Sequence, residues 1–383
     1  MKKTLAALAV LSAFTGTASA ADVTLYGDID TGLKYTYTKV PEEKATNTLE
    51  MANGINSSSK FGLKGTEDLG NGLKVGFKLE NGFNSDDGTL NQDGRLFGRE
   101  ASLSVYSNFG TVSLGRMGGV ASTAGTYDIV YAIGDSFDGG DEFAFGFNAS
   151  DRYDNMITYQ TPQFAGLQAT VQYSFKNDNK VDNDGMQEGR ATADRYASVA
   201  LTGEWGPAQV VAAYELQKYS TLNRSEGYKP DDGNTFYLGG NFDFGVAKVF
   251  AMGQYFEGAH QVFGESLNDE DGLFVGNKKG VEGYGIHLGT IAPIGAGELT
   301  VGLYYAHAKL GAFTADDPED SLKKTKADYY GFGTRYCYPL STRTTVYVGA
   351  GYAETKYKEY DDQGVEKATE KTGGAYFGVA HSF

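Results

Sequence analysis

Apolar residues recur at every second position along most of the chain, with polar residues between them. The segments from Val23 to Lys34, from Leu73 to Glu80 and from Leu167 to Phe175 follow this pattern. Period two is the spacing of side chains on a β-strand that has one apolar and one polar face. The pattern predicts sixteen strands, centred near residues 30, 63, 77, 103, 113, 157, 171, 199, 213, 239, 251, 286, 304, 331, 349 and 378.

The connections between these segments alternate between short and long. The short ones carry residues typical of tight turns, and they lie at 68–72, 108–110, 205–207, 244–245 and 339–341. The others are long and polar, and they lie at 39–58, 177–193, 258–280 and 358–372. The longest predicted connection runs from Met117 to Tyr153.

The first twenty residues differ from the rest of the chain. Lys2 and Lys3 precede an apolar run from Leu5 to Phe14, and Ala18-Ser19-Ala20 follows it. This order predicts a cleaved secretory signal peptide over residues 1–20 and a mature barrel over residues 21–383. No later stretch approaches 18 consecutive apolar residues, which excludes a helical membrane protein.

The amino-acid composition further limits the class of protein. The chain has 53 Gly, 27 Tyr and 23 Phe but only 7 Pro in 383 residues, which suits many strands and turns. Its formal net charge is −16, and removal of the two signal lysines makes it −18. An acidic chain argues against nucleic acid as a partner. The lone Cys337 excludes an internal disulfide, and we expect no metal and no cofactor.

These features together predict an all-β fold, a 16-stranded antiparallel transmembrane barrel with short periplasmic turns and long extracellular loops. In lipid all backbone groups must be paired, and a closed barrel is the only sheet that achieves this. The apolar stripe then faces lipid and the polar stripe faces a water-filled lumen. The alternative is a soluble β-sandwich or lectin-like protein, whose strands also have one polar face.

Several segments resemble Gram-negative general porins of the neisserial and beta-proteobacterial type. They are DVTLYGDIDTGL at 22–33, KFGLKGTEDLGNGL at 60–73, TVSLGR at 111–116, ITYQTPQFAGL at 157–167, PLSTRTTVYVGAGY at 339–352 and the terminal GVAHSF. The resemblance implies a homotrimeric outer-membrane channel whose third loop folds into the lumen. It also implies contacts with the bilayer and lipopolysaccharide. Phe377, Val379 and Phe383 match the terminal signal that the outer-membrane assembly machinery reads in such proteins.

A pore discriminates at its narrowest section, and the longest connection is the candidate for that section. It resembles the acidic constriction loop of porins and carries Asp128, Asp135, Asp138, Asp141 and Glu142. Period two directs Lys34, Lys60, Lys64, Lys74 and Lys78 into the lumen. Arg99 and Arg116 match wall arginines of the family, with Arg95 as a further candidate. Arg99 shares its phase with Ala101, Leu103 and Val105, so its inward direction needs a local irregularity.

The predicted function is passive diffusion of ions and small hydrophilic solutes, without enzymatic activity. Acidic loop residues facing basic wall residues would create a transverse field that favours polar solutes. Since lysines line the early strands, we expect little or mildly anionic selectivity despite the negative net charge. Two alternatives are a substrate-specific channel of similar architecture and an outer-membrane lipase or adhesin.

Overall fold

The computed structural model describes residues 23–123, 125–180, 185–221, 231–259, 261–262, 265–266, 280–310, 324–361 and 364–383. The predicted signal peptide therefore lies outside the described residues. Within them, no helix is long and apolar enough to cross a membrane. One-turn helices lie at Asn91–Gly94 and Val130–Gly134. The strands are β1 (Thr24–Lys39), β2 (Thr46–Asn53), β3 (Lys60–Gly70), β4 (Leu73–Gly82), β5 (Glu100–Ser107), β6 (Gly110–Gly118), β7 (Arg152–Gln160), β8 (Leu167–Ser174), β9 (Arg195–Trp205), β10 (Ala208–Lys218), β11 (Gly233–Asp243), β12 (Lys248–Ala259), β13 (Gln261–Val262), β14 (Glu265–Ser266), β15 (Val281–Ile294), β16 (Gly297–Leu310), β17 (Lys324–Pro339), β18 (Thr344–Asp361) and β19 (Gly364–Ser382).

These strands form a closed antiparallel barrel. Neighbours along the chain pair with each other, except that β2 and β3 do not pair and that β12 pairs with β15 past the separate β13–β14 hairpin; β19 pairs back onto β1 to complete the ring. Strands β2 and β3 both pair with β1, β2 along Thr31–Thr38 and β3 along Thr24–Asp28. They are therefore two halves of one interrupted strand, and the barrel has sixteen strands as predicted. All sixteen predicted centres fall inside these strands.

The two faces of the barrel differ as the alternation predicts. On the exterior, Leu238, Leu288, Leu303 and Phe377 are each more than half exposed. The interior positions of β8 are Thr170, Gln172 and Ser174, which are buried beneath other lumen residues. Large apolar side chains cover the outside of the sheet, where a soluble sandwich would expose polar ones, so that alternative is wrong.

The hairpin between β3 and β4 shows how local sequence sets the register. Asn71 and Gly72 have φ values of 53° and 79°, and Gly70 pairs with Leu73. Two consecutive positive φ angles define a type I′ turn, whose twist matches that of the flanking strands. Asn-Gly is the preferred sequence for this turn, so the short connection predicted at 68–72 is confirmed.

Two of the predicted long connections are wrong. Residues 46–53 within the predicted 39–58 connection form β2, and residues 358–372 belong almost entirely to β18 and β19. The apolar face of β2 is marked only by Leu49 and Met51, and the end of β18 and the start of β19 are largely polar, so period two is too short to recognise in the sequence. The connection between β6 and β7, at 119–151, is the longest described one, as predicted.

Candidate functional site

The connection at 119–151, here called loop 3, folds into the lumen of the barrel. Its backbone is hydrogen-bonded by side chains from six strands in one continuous stretch of the barrel wall, from β9 to β17. For example, Tyr329 accepts from Phe145 N (2.9 Å), and Asn241 Nδ2 donates to Ile133 O (2.8 Å). The side chains involved are Tyr196, Glu215, Asn241, Gln254, His287 and Tyr329.

An apolar cluster reinforces these bonds inside the barrel. Val130, Tyr131 and Phe147 of loop 3 are fully buried, and the ring of Tyr131 packs edge-on against Tyr237 of β11 at 6.2 Å. Burying side chains of this size stabilises the folded loop by about 1.5–3 kcal/mol each. Loop 3 is therefore a fixed part of the lumen wall, as the resemblance to porins implied.

Two of the predicted loop acids point into the barrel wall. Tyr304 Oη donates to Asp135 Oδ1 at 2.8 Å, and Tyr376 donates to Asp141 Oδ2. The Asp135 side chain has no exposed surface, and Asp141 is buried as well. Burial raises the pKa of Asp141 above its ordinary value. The structure thus places these two carboxyl groups as attachments of loop 3.

The acidic pair Asp128 and Asp138 lies elsewhere on the same loop. Burial and the neighbouring negative charge of Asp138 raise the pKa of Asp128 to about 9. Burial and the charge of Asp135 raise the pKa of Asp138 to about 6, and its carboxyl hydrogen-bonds to Asp128. Asp138 retains an exposed face. Near neutral pH, Asp128 therefore stays protonated while Asp138 carries a charge.

Glu142 meets one of the predicted basic residues directly. Lys34 Nζ lies 2.8 Å from Glu142 Oε1 and 3.2 Å from Glu50 Oε1. The side chains of Lys34 and Glu142 are 21% and 26% exposed, so both charges remain in contact with the lumen. Among the predicted acidic and basic residues of the described chain, this is the ion pair that joins loop 3 to the wall.

The other predicted cations of β4 to β6 are bound by carboxylates of the wall. Lys78 lies 2.9 Å from Glu100, and Arg99 Nε donates to Glu80 at 2.7 Å. Arg99 comes just before β5, so the alternation of that strand does not determine its direction. Arg116 pairs with Asp154 at 2.7 Å, and Arg95 reaches the same carboxylate at 3.2 Å.

Three predicted lysines lie away from loop 3. Lys60 pairs with Asp28 at 2.5 Å, and Lys64 Nζ stands 5.0 Å from the centre of the Tyr26 ring. Lys74 lies 3.9 Å from Asp68 beside the short β3–β4 turn. The structure therefore does not bring these lysines to the loop acids.

Sequence reasoning missed Arg335 of β17 as a lumen residue. Its guanidinium lies 5.0 Å from the centre of the Phe137 ring of loop 3. Arg335 shares the phase of Gly331 and Gly333, which are buried on the inner face, so period two could have identified it. The wall carboxylates Glu80 and Glu100 were missed as well, although Glu80 has the same phase as Lys78.

The C-terminal strand closes the barrel at its last residue. Phe383 N donates to Gly27 O (2.9 Å) and Gly27 N donates to Phe383 O (3.1 Å). A side chain at residue 27 would collide with the Phe383 ring, which explains the glycine there. Phe377 and Val379 face outward and are 57% and 38% exposed. The three residues predicted as an assembly signal are thus accessible on the outside and at the rim of the barrel.

A closed sixteen-stranded barrel with an apolar exterior and a charged interior defines an outer-membrane channel. Residues 7–359 match the Gram-negative porin family, and the chain belongs to that family. An outer membrane porin protein of Bordetella pertussis is 34% identical over 92% of this chain and 94% of its own length. Outer membrane porin protein 32 of Delftia acidovorans is 30% identical over the full length of both. An anion-selective porin from Comamonas acidovorans has a structure similar to this one, with a TM-score of 0.63 and 26% identity over 95% of this chain and 100% of its own. The protein is a passive channel for ions and small solutes in the outer membrane.

Proposed function

We propose that loop 3 forms the narrowest section of this channel and that the partly exposed charges beside it decide which solutes pass. The observation that best supports this proposal is the Lys34–Glu142 ion pair, which joins the barrel wall to the loop inside the lumen. Lys78, Arg99 and Arg116 lie on or beside β4 to β6 in the adjoining part of the wall, and Arg335 lies over Phe137. Solutes move through this section down their gradient, without a chemical step.

The charges at this section favour anions weakly. Asp135 and Asp141 are withdrawn from water by their tyrosine partners, and the raised pKa of Asp128 keeps that carboxyl neutral. Lys34 and Lys78 keep 21% and 24% of their side chains exposed; Glu142 offsets Lys34 with 26% exposed, whereas the Glu100 partner of Lys78 is only 2% exposed, so the preference is weak. Local charge acts over a Debye length of about 8–10 Å, so it outweighs the acidic outer loops. The similar porin from Comamonas acidovorans is described as anion-selective, which supports this proposal.

The partners follow from the family resemblance. We propose a homotrimer that is exported through a signal peptide cleaved after Ala20. The apolar exterior contacts the lipid bilayer and lipopolysaccharide, and the assembly machinery reads the terminal strand at Phe377, Val379 and Phe383. The outward exposure of Phe377 and Val379 supports a role in recognition.

Recording of purified, heat-modifiable protein in a planar bilayer tests the proposal. We expect stable ohmic steps, and a reversal potential in a salt gradient that shows weak anion preference. Replacing Asp135, Asp138 and Asp141 by Asn is expected to shift the reversal potential further toward anions, mainly through the exposed Asp138, because the other two carboxyl groups are buried. A folded protein with strong cation preference, or with an unchanged reversal potential in this variant, would contradict the proposed constriction.

A further inference from the structure

The interruption between β2 and β3 leaves surplus residues at the barrel wall. Residues 54–59 lie opposite only Ile29 and Asp30 of β1, so the chain holds four residues more than a continuous ladder needs. Because four is even, both halves keep the same alternation. Leu49 and Phe61 point outward on either side of the break, and the surplus forms a bulge, here called the 54–59 bulge.

Asp30 holds this bulge on the lumen side. Its Oδ2 accepts hydrogen bonds from Asn56 N (2.9 Å) and Ser57 N (2.6 Å), and Tyr347 of β18 donates to Oδ1. Ser59 Oγ also lies 3.1 Å from both backbone polar atoms of Asp30. Asp30 has no exposed surface. A carboxylate with this many donors fixes the groups around it in one geometry.

Neighbouring residues seal the gap that the bulge leaves in the wall. Ser85 Oγ donates to Asp30 O at 2.8 Å, and Phe83 N donates to Ser59 O at 3.1 Å. Asn53 accepts from Ser85 N through its side chain (3.0 Å). Backbone groups at the break are therefore paired, as a membrane wall requires. The bulge is a built feature of the barrel rather than a frayed strand.

The bulge also reaches the tip of loop 3. Ile55 is buried in one cluster with Phe143 of the loop, Tyr347 and Tyr376. Phe143 follows directly after the two residues that Tyr376 and Lys34 bind, which are Asp141 and Glu142. On the facing wall, Cys337 Sγ lies 3.4 Å from Asn56 Oδ1. The bulge thus occupies lumen space between β1, β17 and loop 3.

We propose that the 54–59 bulge is a second inward projection that narrows the channel and braces the tip of loop 3, with Asp30 as its positioning residue. Ion flow through a wide aqueous pore is limited by the narrowest cross-section. Ile55 and Asn56 take up part of that section beside Phe143. The inference rests on the channel function, but it does not depend on the charges proposed for the constriction.

Deleting Ile55 to Ser58 tests the proposal in the full-length protein. The deletion removes four residues and joins Gly54 to Ser59, so the inside–outside alternation of both halves is preserved. We expect about a 1.3-fold rise in single-channel conductance, because the lumen gains cross-section. We also expect faster uptake of larger sugars in liposome swelling. Deleting Glu42 to Ala45, four residues of the β1–β2 connection, is the matched control and should leave conductance unchanged.

Point variants keep the test decisive if the deletion does not fold. Ile55→Ala should raise conductance and Ile55→Trp should lower it, while the outward-facing Leu49→Ala should have no effect. A thiol reagent should also modify Cys337 faster in Ile55→Ala than in the unaltered protein. Unchanged conductance in folded Ile55 variants of a conducting channel would overturn this inference alone. Absence of conductance from the unaltered protein would instead overturn the channel function.

Discussion

Neutralising the two partners of the Lys34–Glu142 pair separately should shift ion selectivity in opposite directions. In the structure Lys34 Nζ and Glu142 Oε1 are 2.8 Å apart, and both side chains are partly exposed to the lumen. Lys34→Gln removes one positive charge from this point, and Glu142→Gln removes one negative charge. Glu142→Gln preserves the size and shape of the side chain and Lys34→Gln shortens it by one atom, so the loop keeps its packing and the charge is the main variable.

The size of the shift follows from the distance at which a hydrated ion passes. At about 5 Å in water, one unit charge changes the energy of an ion by about 0.8 kcal/mol. Screening at 0.1 M salt reduces this energy to about 0.5 kcal/mol. The effect has opposite signs for anions and cations, so their permeability ratio changes by about 1 kcal/mol, or about 5-fold.

Reversal potentials across a planar bilayer in a salt gradient measure this ratio. Lys34→Gln should move the potential toward cation preference and Glu142→Gln toward anion preference. The double variant should return close to the unaltered protein, because the two charges cancel at one place. Lys356→Gln is the matched control, since that lysine lies over Tyr330 on the outer face. Shifts of equal sign in both single variants would refute the proposal that this ion pair lies at the constriction.

Three further predictions concern loop 3 and the closing strand. Since the pKa of Asp138 is about 6, acidification from pH 8 to pH 5 should protonate it and move the reversal potential toward anions, and this shift should vanish in Asp138→Asn. Tyr376→Phe should weaken loop attachment by about 1–3 kcal/mol, because it removes a donor from the buried Asp141. Noisier open-channel current would show this, and quiet current would argue against it. Deleting Phe383 should lower the yield of folded barrel in outer membranes, measured by heat modifiability, because its two backbone bonds to Gly27 are lost.

The sequence predicted the barrel well wherever one face of a strand meets lipid. Alternation located every strand centre because outward apolar residues, such as Val171, stand between inward polar ones. It failed at Thr46–Asn53, where only Leu49 and Met51 mark the outer face, and at 364–372, where the residues are largely polar. The 54–59 bulge was missed for a related reason, since its polar residues look like an ordinary loop.

The candidate site was only partly predictable, because the residues that bind the loop 3 acids are distant from them in the sequence. Loop 3 and its acidic residues could be found locally, from length and composition. The partners of Asp135 and Asp141 lie 169 and 235 residues away, and no local pattern connects a loop carboxyl to one tyrosine on a remote strand. The inward direction of Arg99 depended on where β5 begins, which alternation leaves uncertain by a residue or two.

The sequence shows where the loop carboxyls lie but not which residues bind them, and for this reason net charge is a poor guide to the selectivity that we expect. The chain carries a formal charge of −16, yet two loop 3 carboxyls are buried against tyrosines and Asp128 has a pKa of about 9. A carboxyl that is neutral or screened from the lumen exerts little force on a passing ion. Lys34, Lys78, Glu142 and Asp138 keep access to water, so we expect the field at loop 3 to depend on these four groups rather than on the charge of the whole chain. We therefore expect selectivity in this barrel to depend on which charges remain in contact with water, and not on how many the chain contains.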